Sequence, residues 1–343
     1  MKMMKLNNLS FEVTTNCNQK CSYCYNIWKD ENGNNLYNFN SYNQAKRTLN
    51  QINKSVDYKH ITFTGGEPFL LERFPELVLK ARLSGKSVSI ITNGSAAKFV
   101  DYEMIHKLGI SHFQITLNAD NAAVHDAMSG ISGSWEKTLF TIQNLIKLKS
   151  SVVGVIVLTA ANYPFLAATI NFLWSLGIRR IMLNRYNISK NGVNHLKTLL
   201  LTANELKNAF QVADMLAYKL NLTISSNVCT PACIIQEAEY QNISFGHCSP
   251  IPEKRPITID LLGNLRLCNH SPIVAGNIFE EKMEKILYSD YAKTWYQKPD
   301  YCADCVAYEK CRGGCRAASE QLGQSILMVD PLVVMGKGKP FYK

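Results

Sequence analysis

The sequence predicts an α/β protein: six parallel strands, open or curled into a partial (β/α)6 barrel, followed by a smaller cysteine-rich extension. Three observations predict it. Strand-like and helical runs alternate from residue 9 to residue 220, the strands run into glycine-rich or cysteine-rich turns, and the eleven cysteines fall into two separate groups. Alternating β and α elements pair their strands in parallel, and such sheets hold ligands at the carboxyl ends of the strands.

Taken in order, Leu9–Thr14 alternates as a strand and leads into Cys17-Asn-Gln-Lys-Cys21-Ser-Tyr23-Cys24. A helix is expected over Tyr42–Lys54, then a strand His60–Thr64 ending at Gly65-Gly66-Glu67-Pro68. Helix Arg73–Ser84 and strand Ser87–Thr92 follow, the latter ending at Asn93-Gly94. The pattern continues with helix Val100–Leu108, strand His112–Leu117, helix Trp135–Leu148, strand Val152–Leu158, helix Phe165–Leu176 and strand Arg180–Leu183. In the helix after Ser134, apolar residues recur at helical spacing. Thr202-x-x-Glu205 reads as a capping box opening a helix to Leu220. Beyond it Cys229–Cys248 is irregular, Ile257–Leu261 and Leu265–Cys268 read as a hairpin turning at Gly263-Asn264, and Ile278–Lys298 reads as mostly helical. The expected division is a core over 1–220, a cysteine-rich unit over 221–335 and a flexible tail over 336–343.

Composition excludes several classes. No apolar run approaches the length of a membrane span, and the lysine-bearing start lacks the apolar core of a secretory signal, so a cytoplasmic protein is expected. Disulfides are disfavoured in that compartment, and eleven cysteines there point to metal. The net charge of +10, from 37 basic and 27 acidic side chains, suits an acidic peptide partner. The lysines are dispersed, with no basic run, which argues against nucleic acid.

Cys17, Cys21 and Cys24 can converge on one centre but leave a tetrahedral or cubane site one ligand short. Thiolates suit zinc or iron–sulfur clusters, and an open position marks a catalytic site. A zinc site completed by a histidine such as His60 is the plain alternative. With Gly65-Gly66-Glu67-Pro68 and Ile91-Thr92-Asn93-Gly94 downstream, the cysteine motif resembles the radical S-adenosylmethionine (SAM) superfamily, over about Asn8 to Pro331. The resemblance implies a 4Fe–4S cube held by Cys17, Cys21 and Cys24, its open iron chelated by SAM. Reductive cleavage of SAM then gives a 5′-deoxyadenosyl radical that abstracts a substrate hydrogen. It further implies that Gly65, Gly66 and Glu67 accept from the SAM ammonium, that Tyr23 lies by the adenine, and that Thr92 and Asn93 lie by the ribose. Two departures stand out. Thr116-Leu-Asn118 replaces the family's frequent Ser-x-Asp, leaving Thr116 and Asn118 as ribose or carboxylate contacts. Ser129 stands where relatives often carry an arginine for the SAM carboxylate, and Arg185 is on the rim to replace it.

Cys248-x14-Gly263-x4-Cys268 with Cys302-x2-Cys305-x5-Cys311-x3-Cys315 resembles the SPASM domain, which implies two auxiliary 4Fe–4S clusters; two zinc sites are the alternative. The first would use Cys248, Cys268 and Cys315 with an upstream cysteine, Cys233 preferred over Cys229. The second would use Cys302, Cys305 and Cys311. The family's seventh cysteine, expected past Asp330-Pro331, is replaced by Leu332-Val333, leaving Asp330, another group or an open position at that iron.

The expected function is oxidative modification of a ribosomally made precursor peptide, with electrons from a flavodoxin- or ferredoxin-type donor. About 16 residues precede Cys17, so a separate peptide-recognition domain is not expected, and the substrate is short or delivered by another protein. A sulfatase-type maturase is the alternative, with Asp260 as its base. A radical dehydrogenase or epimerase of a small metabolite is another, and a non-catalytic Fe–S or zinc scaffold lies outside the enzyme class.

Overall fold

The structure is a computed structural model that describes residues 4–336; most of the tail expected to be flexible lies outside them. Strands β1 (Lys5–Glu12), β2 (Asp57–Thr64), β3 (Ser87–Thr92), β4 (His112–Thr116), β5 (Val152–Leu158) and β6 (Arg180–Arg185) pair in parallel, each with the next. Helices α1 (Tyr42–Ser55), α2 (Phe74–Leu83), α3 (Phe99–Lys107), α4 (Ala122–Ser129), α5 (Ser134–Lys147) and α6 (Leu166–Ser175) fill the crossovers. The expected alternation is therefore present, with most element ends within a few residues of the sequence reading.

Each element forms for a local reason. In α1, Ala45, Leu49 and Ile52 share one buried face, and the Ser41 hydroxyl caps the start by accepting from the Gln44 amide, a contribution of about 1 kcal/mol. Strand β5 is almost continuously apolar and buried on both sides, as a central parallel strand must be. After the short α7 (Leu196–Leu199), α8 (Ala203–Leu220) opens with the anticipated box: the Thr202 hydroxyl accepts from the Glu205 amide, and the Glu205 carboxylate from the Thr202 amide. Leu206, Phe210, Ala213 and Leu216 line its buried face, each large apolar side chain worth roughly 1.5–3 kcal/mol on burial.

The sheet continues past residue 220 in both directions. Beyond β6 it adds β7 (Thr223–Ser226) and β8 (Ile243–Phe245); on the other edge β9 (Thr258–Asp260) lies parallel to β1 and turns back as β10 (Asn264–Arg266) and β11 (Gly276–Asn277). The cysteine-rich region thus grips both edges. Arg266 on the hairpin forms a buried ion pair with Glu12 at the end of β1. Further on, the stretch expected to be mostly helical resolves into two short helices, α9 (Met283–Leu287) and α10 (Asp290–Thr294). Helices α11 (Tyr308–Cys311), α12 (Arg316–Gln321) and α13 (Pro331–Gly336) complete the chain. Among the described residues no helix is long and apolar enough to cross a membrane.

Candidate active site at the carboxyl ends of the strands

Parallel pairing brings the ends of β1, β2, β3 and β4 to one rim, and the motif residues collect there. The cysteine loop is fastened at both ends. Lys20 and Ser22 donate their amides to the carbonyls of Ser129 and Met128 at 2.9 and 3.1 Å. The buried Lys29 ammonium donates to the carbonyls of Gln19 and Gly33. Asn93 Nδ2 donates to Asn18 Oδ1 at 2.8 Å and approaches Cys17 Sγ at 4.0 Å.

The glycines of the second loop let it pack against the cysteine loop. The amides of Gly66 and Glu67 donate to the carbonyls of Thr14 and Asn16 at 2.8 and 2.7 Å. A Cβ on Gly65 or Gly66 would lie 2.4 Å from the Thr14 oxygen or 2.1 Å from the Asn16 oxygen. Only a residue without a side chain permits that approach.

Glu67 is fully buried, and both oxygens accept from the protein: Oε1 from the Thr92 hydroxyl at 2.8 Å and the Phe69 amide at 3.2 Å, Oε2 from the Asn93 amide at 2.7 Å. Burial outweighs these bonds and lifts its pKa to about 7. The carboxyl therefore ties the second motif to the third as a clamp. Thr92 and Asn93 belong to the same clamp, with Asn93 Oδ1 also accepting from the amide of Ser95.

Tyr23 and Asn118 do meet. Asn118 Nδ2 donates to the Tyr23 hydroxyl at 2.9 Å, while its Oδ1 accepts from the Val157 amide, so it bridges the cysteine loop and β5. Thr116, half-buried, stands at the end of β4. His125 accepts the Asn118 amide, and burial pushes its pKa down to about 4. Asp126 caps α5 through the amides of Gly133 and Trp135. Ser129 is closed in on the Ser134 hydroxyl at 2.6 Å.

Arg185 is a correction. It is buried and bound to Asp330 at 2.5 Å and to the Cys229 carbonyl at 2.8 Å. It is a strut between β6 and the carboxyl-terminal region, not a carboxylate hook on the rim. His60 is corrected as a zinc ligand: its ring nitrogens face the hydroxyls of Ser87 and Ser89, each at 2.9 Å. Asp260 is a turn cap, accepting from the amides of Leu262 and Asn264 and from Asn264 Nδ2. Those bonds account for it without a role as a base.

The donor set fits an iron–sulfur centre. Cys17, Cys21 and Cys24 sit together at the rim, and burial raises their thiol pKa values, that of Cys17 to about 11; a bound metal is what ionises such thiols. Asn16 Oδ1, beside them, is buried with no hydrogen-bond partner. Among the described residues no three metal-ligating side chains close on a single ion's position.

The carboxyl-terminal cysteines form two further gatherings. Cys229 lies beside the Cys248 thiol, with Cys315 and Cys268 as further neighbours. Cys229, and not the preferred Cys233, therefore accompanies Cys248, Cys268 and Cys315. The reason is the Arg185–Asp330 pair: Arg185 holds the Cys229 carbonyl while Asp330 accepts from the Cys315 amide at 2.8 Å. Arg255 beside this group is buried, and both its terminal nitrogens lack a hydrogen-bond partner. Sequence reasoning missed Arg255, because nothing in its local pattern separates it from a surface arginine. Cys302, Cys305 and Cys311 gather separately. Tyr25 links the amino-terminal and carboxyl-terminal centres: its hydroxyl accepts from Asn269 Nδ2 at 3.0 Å, its carbonyl accepts from Gln321 Nε2 at 3.1 Å, and Cys24 and Cys268 are both its neighbours.

A parallel α/β rim carrying three thiols, a clamped glycine loop and a second cysteine-rich region is the arrangement that the resemblance to the radical SAM superfamily implies. Residues 11–163 match the radical SAM superfamily, and the second group of cysteines lies beyond that match. It is 24% identical to mycofactocin maturase MftC of Mycobacterium tuberculosis, over 97% of this chain and 84% of that protein. The crystal structure of Streptococcus suis SuiB bound to S-adenosylmethionine superposes with a TM-score of 0.72 at 15% identity, covering 95% of this chain and 77% of that one. AdoMet-bound anSMEcpe gives 0.73 at 16%, covering 97% and 91%. These two likenesses confirm the fold.

Proposed function

We propose that this enzyme carries out oxidative modification, such as a crosslink or thioether, on a ribosomally made precursor peptide. The observation that carries the reading is the packing of the carboxyl-terminal cysteines against the cysteine loop through Tyr25. A peptide that has lost a hydrogen atom must lose one further electron and a proton to close a bond. A redox centre one side chain from the radical site gives that electron an exit. The match to MftC along nearly the whole chain, and a fold shared with SuiB bound to its precursor peptide SuiA, support a peptide as substrate.

Cys17, Cys21 and Cys24 would hold the catalytic cluster, with SAM on its open iron. When bound, these cofactors supply one-electron cleavage of a carbon–sulfur bond and a carbon radical able to take a hydrogen atom. This chain's own residues position them. Glu67, Thr92 and Asn93 fix the glycine loop against the cysteine loop, and Asn118 orients Tyr23. Residues 221–335 would carry two auxiliary clusters behind the 1–220 core. Arg255 beside Cys248 donates its Nε to the Ser249 carbonyl and stacks over Trp295, but it meets no carboxylate among the described residues and its two terminal nitrogens lack partners, which fits an anionic cluster there, since a buried charge needs a counter-charge. A low-potential flavodoxin or ferredoxin would supply the first electron, in the cytoplasm.

Anaerobic reconstitution tests the reading. Dithionite-reduced protein with SAM should release 5′-deoxyadenosine, and a candidate acidic peptide should lose a pair of hydrogens per crosslink by mass. No 5′-deoxyadenosine ends the radical reading; 5′-deoxyadenosine without peptide modification ends the peptide one.

A further inference from the structure

The segment in which a seventh cysteine is expected holds no ligand for the second carboxyl-terminal site. Asp330 is spent on Arg185, the Cys315 amide and the Leu332 amide, while Leu332 and Val333 are buried apolar side chains. Another segment fills the gap. The Pro231 carbonyl accepts from the amides of Ile234 and Ile235 at 2.9 and 3.0 Å, closing a tight turn with Cys233 within it. The turn is seated against the Cys302–Cys315 loop from two sides. The Ala232 amide donates to Cys311 Sγ at 3.3 Å. Pro231 packs so closely on Gly314 that a Cβ there would come within 2.6 Å of its ring. Cys233, Cys305 and Cys311 are the cysteines facing the Cys302 thiol.

We propose that Cys233 is the fourth thiolate of the second auxiliary site, so that Cys233, Cys302, Cys305 and Cys311 form a complete ligand set. The inference rests on the auxiliary-cluster reading and deepens it. All eleven cysteines then fall into one group of three and two groups of four. The only iron left open is the one at Cys17, Cys21 and Cys24. The carboxyl-terminal clusters conduct electrons and offer substrate no iron to bind. Cys302 and Cys311 are buried while Cys233 and Cys305 are exposed, so the second cluster presents an edge to a redox partner. Arg316, a charged neighbour of both Cys248 and Cys302, lies between the two auxiliary sites.

The test uses the full chain with C17A/C21A/C24A, which isolates the auxiliary sites, reconstituted anaerobically. Iron and sulfide are counted, and the reduced clusters are followed by electron paramagnetic resonance. About eight irons are expected, on the order of two cubanes. Adding Cys233→Ala should remove or degrade one cluster signal, and adding Cys229→Ala the other. Cys233→Ser, which preserves the shape of the turn, should shift the same signal as Cys233→Ala. With Cys233 in place, cyanide should leave both signals unchanged. A Cys233→Ala or Cys233→Ser protein with both signals intact overturns the assignment. So does a shared target for Cys233 and Cys229, or a cyanide-shifted signal. A C17A/C21A/C24A protein that binds no iron, or only zinc, overturns the auxiliary-cluster reading itself.

Discussion

Removing the Asp330 carboxylate should be strongly destabilising. Asp330 and Arg185 are 1% and 3% exposed and meet at 2.5 Å. Asp330→Ala leaves a buried guanidinium without its counter-charge, a loss of about 3–5 kcal/mol. It also strips the acceptor from the Cys315 and Leu332 amides, at roughly 1–3 kcal/mol for each group left bare. These costs overlap because the groups share one oxygen cluster, so about 4 kcal/mol is a fair total. For a chain of 343 residues each kcal/mol shifts the midpoint by about 1.4 °C, which makes the expected fall about 6 °C. Thermal unfolding of the reconstituted protein, followed by circular dichroism under anaerobic conditions, measures it. Arg185→Leu should fall comparably. The double variant R185L/D330L should recover much of the loss, because an apolar pair restores a matched interior. SAM affinity of that double variant should stay within about threefold of the parent, under 1 kcal/mol. Single variants as stable as the parent, or a double variant that loses the sum of both, would refute the strut. A stable double variant that no longer binds SAM would return Arg185 to the carboxylate.

Three other outcomes follow from the same geometry. Glu67 titrates near 7 in the folded chain against an ordinary 4.5; its pKa is raised, so the stability tied to its neutral form is complete below about pH 4.5 and lost as pH rises through about 7. The span is roughly 3 kcal/mol, and the stability of Glu67→Gln relative to the parent should improve over that window; a flat difference denies the burial argument. Gly66→Ala forces a methyl within 2.1 Å of the Asn16 carbonyl and should cost at least about 1–3 kcal/mol, lowering the iron content of the otherwise unaltered protein by about four while leaving that of the C17A/C21A/C24A protein unchanged; equal loss in both backgrounds would deny a local effect. Arg255→Met should leave iron content unchanged yet make one auxiliary cluster harder to reduce, because removing a buried positive charge disfavours added electrons; an unchanged potential in a redox titration would separate Arg255 from the cluster.

Most of the fold is legible in the sequence because the six core strands and their helices are long, periodic and apolar on one face. Strands β7, β8 and β11 are not, since four, three and two residues carry no usable period. Helix α4, eight residues capped by Asn121 and ended by Gly130 in the left-handed region, is too short to announce itself, and its last residue, Ser129, reads first as a position opposite the SAM carboxylate. The site shows the same split. Local spacing is enough to gather Cys17, Cys21 and Cys24. The sorting of Cys229 from Cys233 depends on an ion pair joining residues 145 apart in the chain, and no local pattern reports that.

The clamp also changes what the motif side chains are for. Glu67, Thr92, Asn93 and Asn118 direct their hydrogen bonds to neighbouring loops. If the loops hold SAM as proposed, these bonds contribute by preorganisation: the loops are fixed before the ligand arrives, and its binding need not order them. A direct contact and a preorganising one fail differently. Loss of a contact weakens SAM binding and leaves the cluster in place. Loss of the clamp releases the cysteine loop from the glycine loop, so iron loading and SAM affinity should decline together in Glu67→Ala. Because Glu67 is fully buried and joins two motifs through three donors, the second pattern is the one its environment dictates.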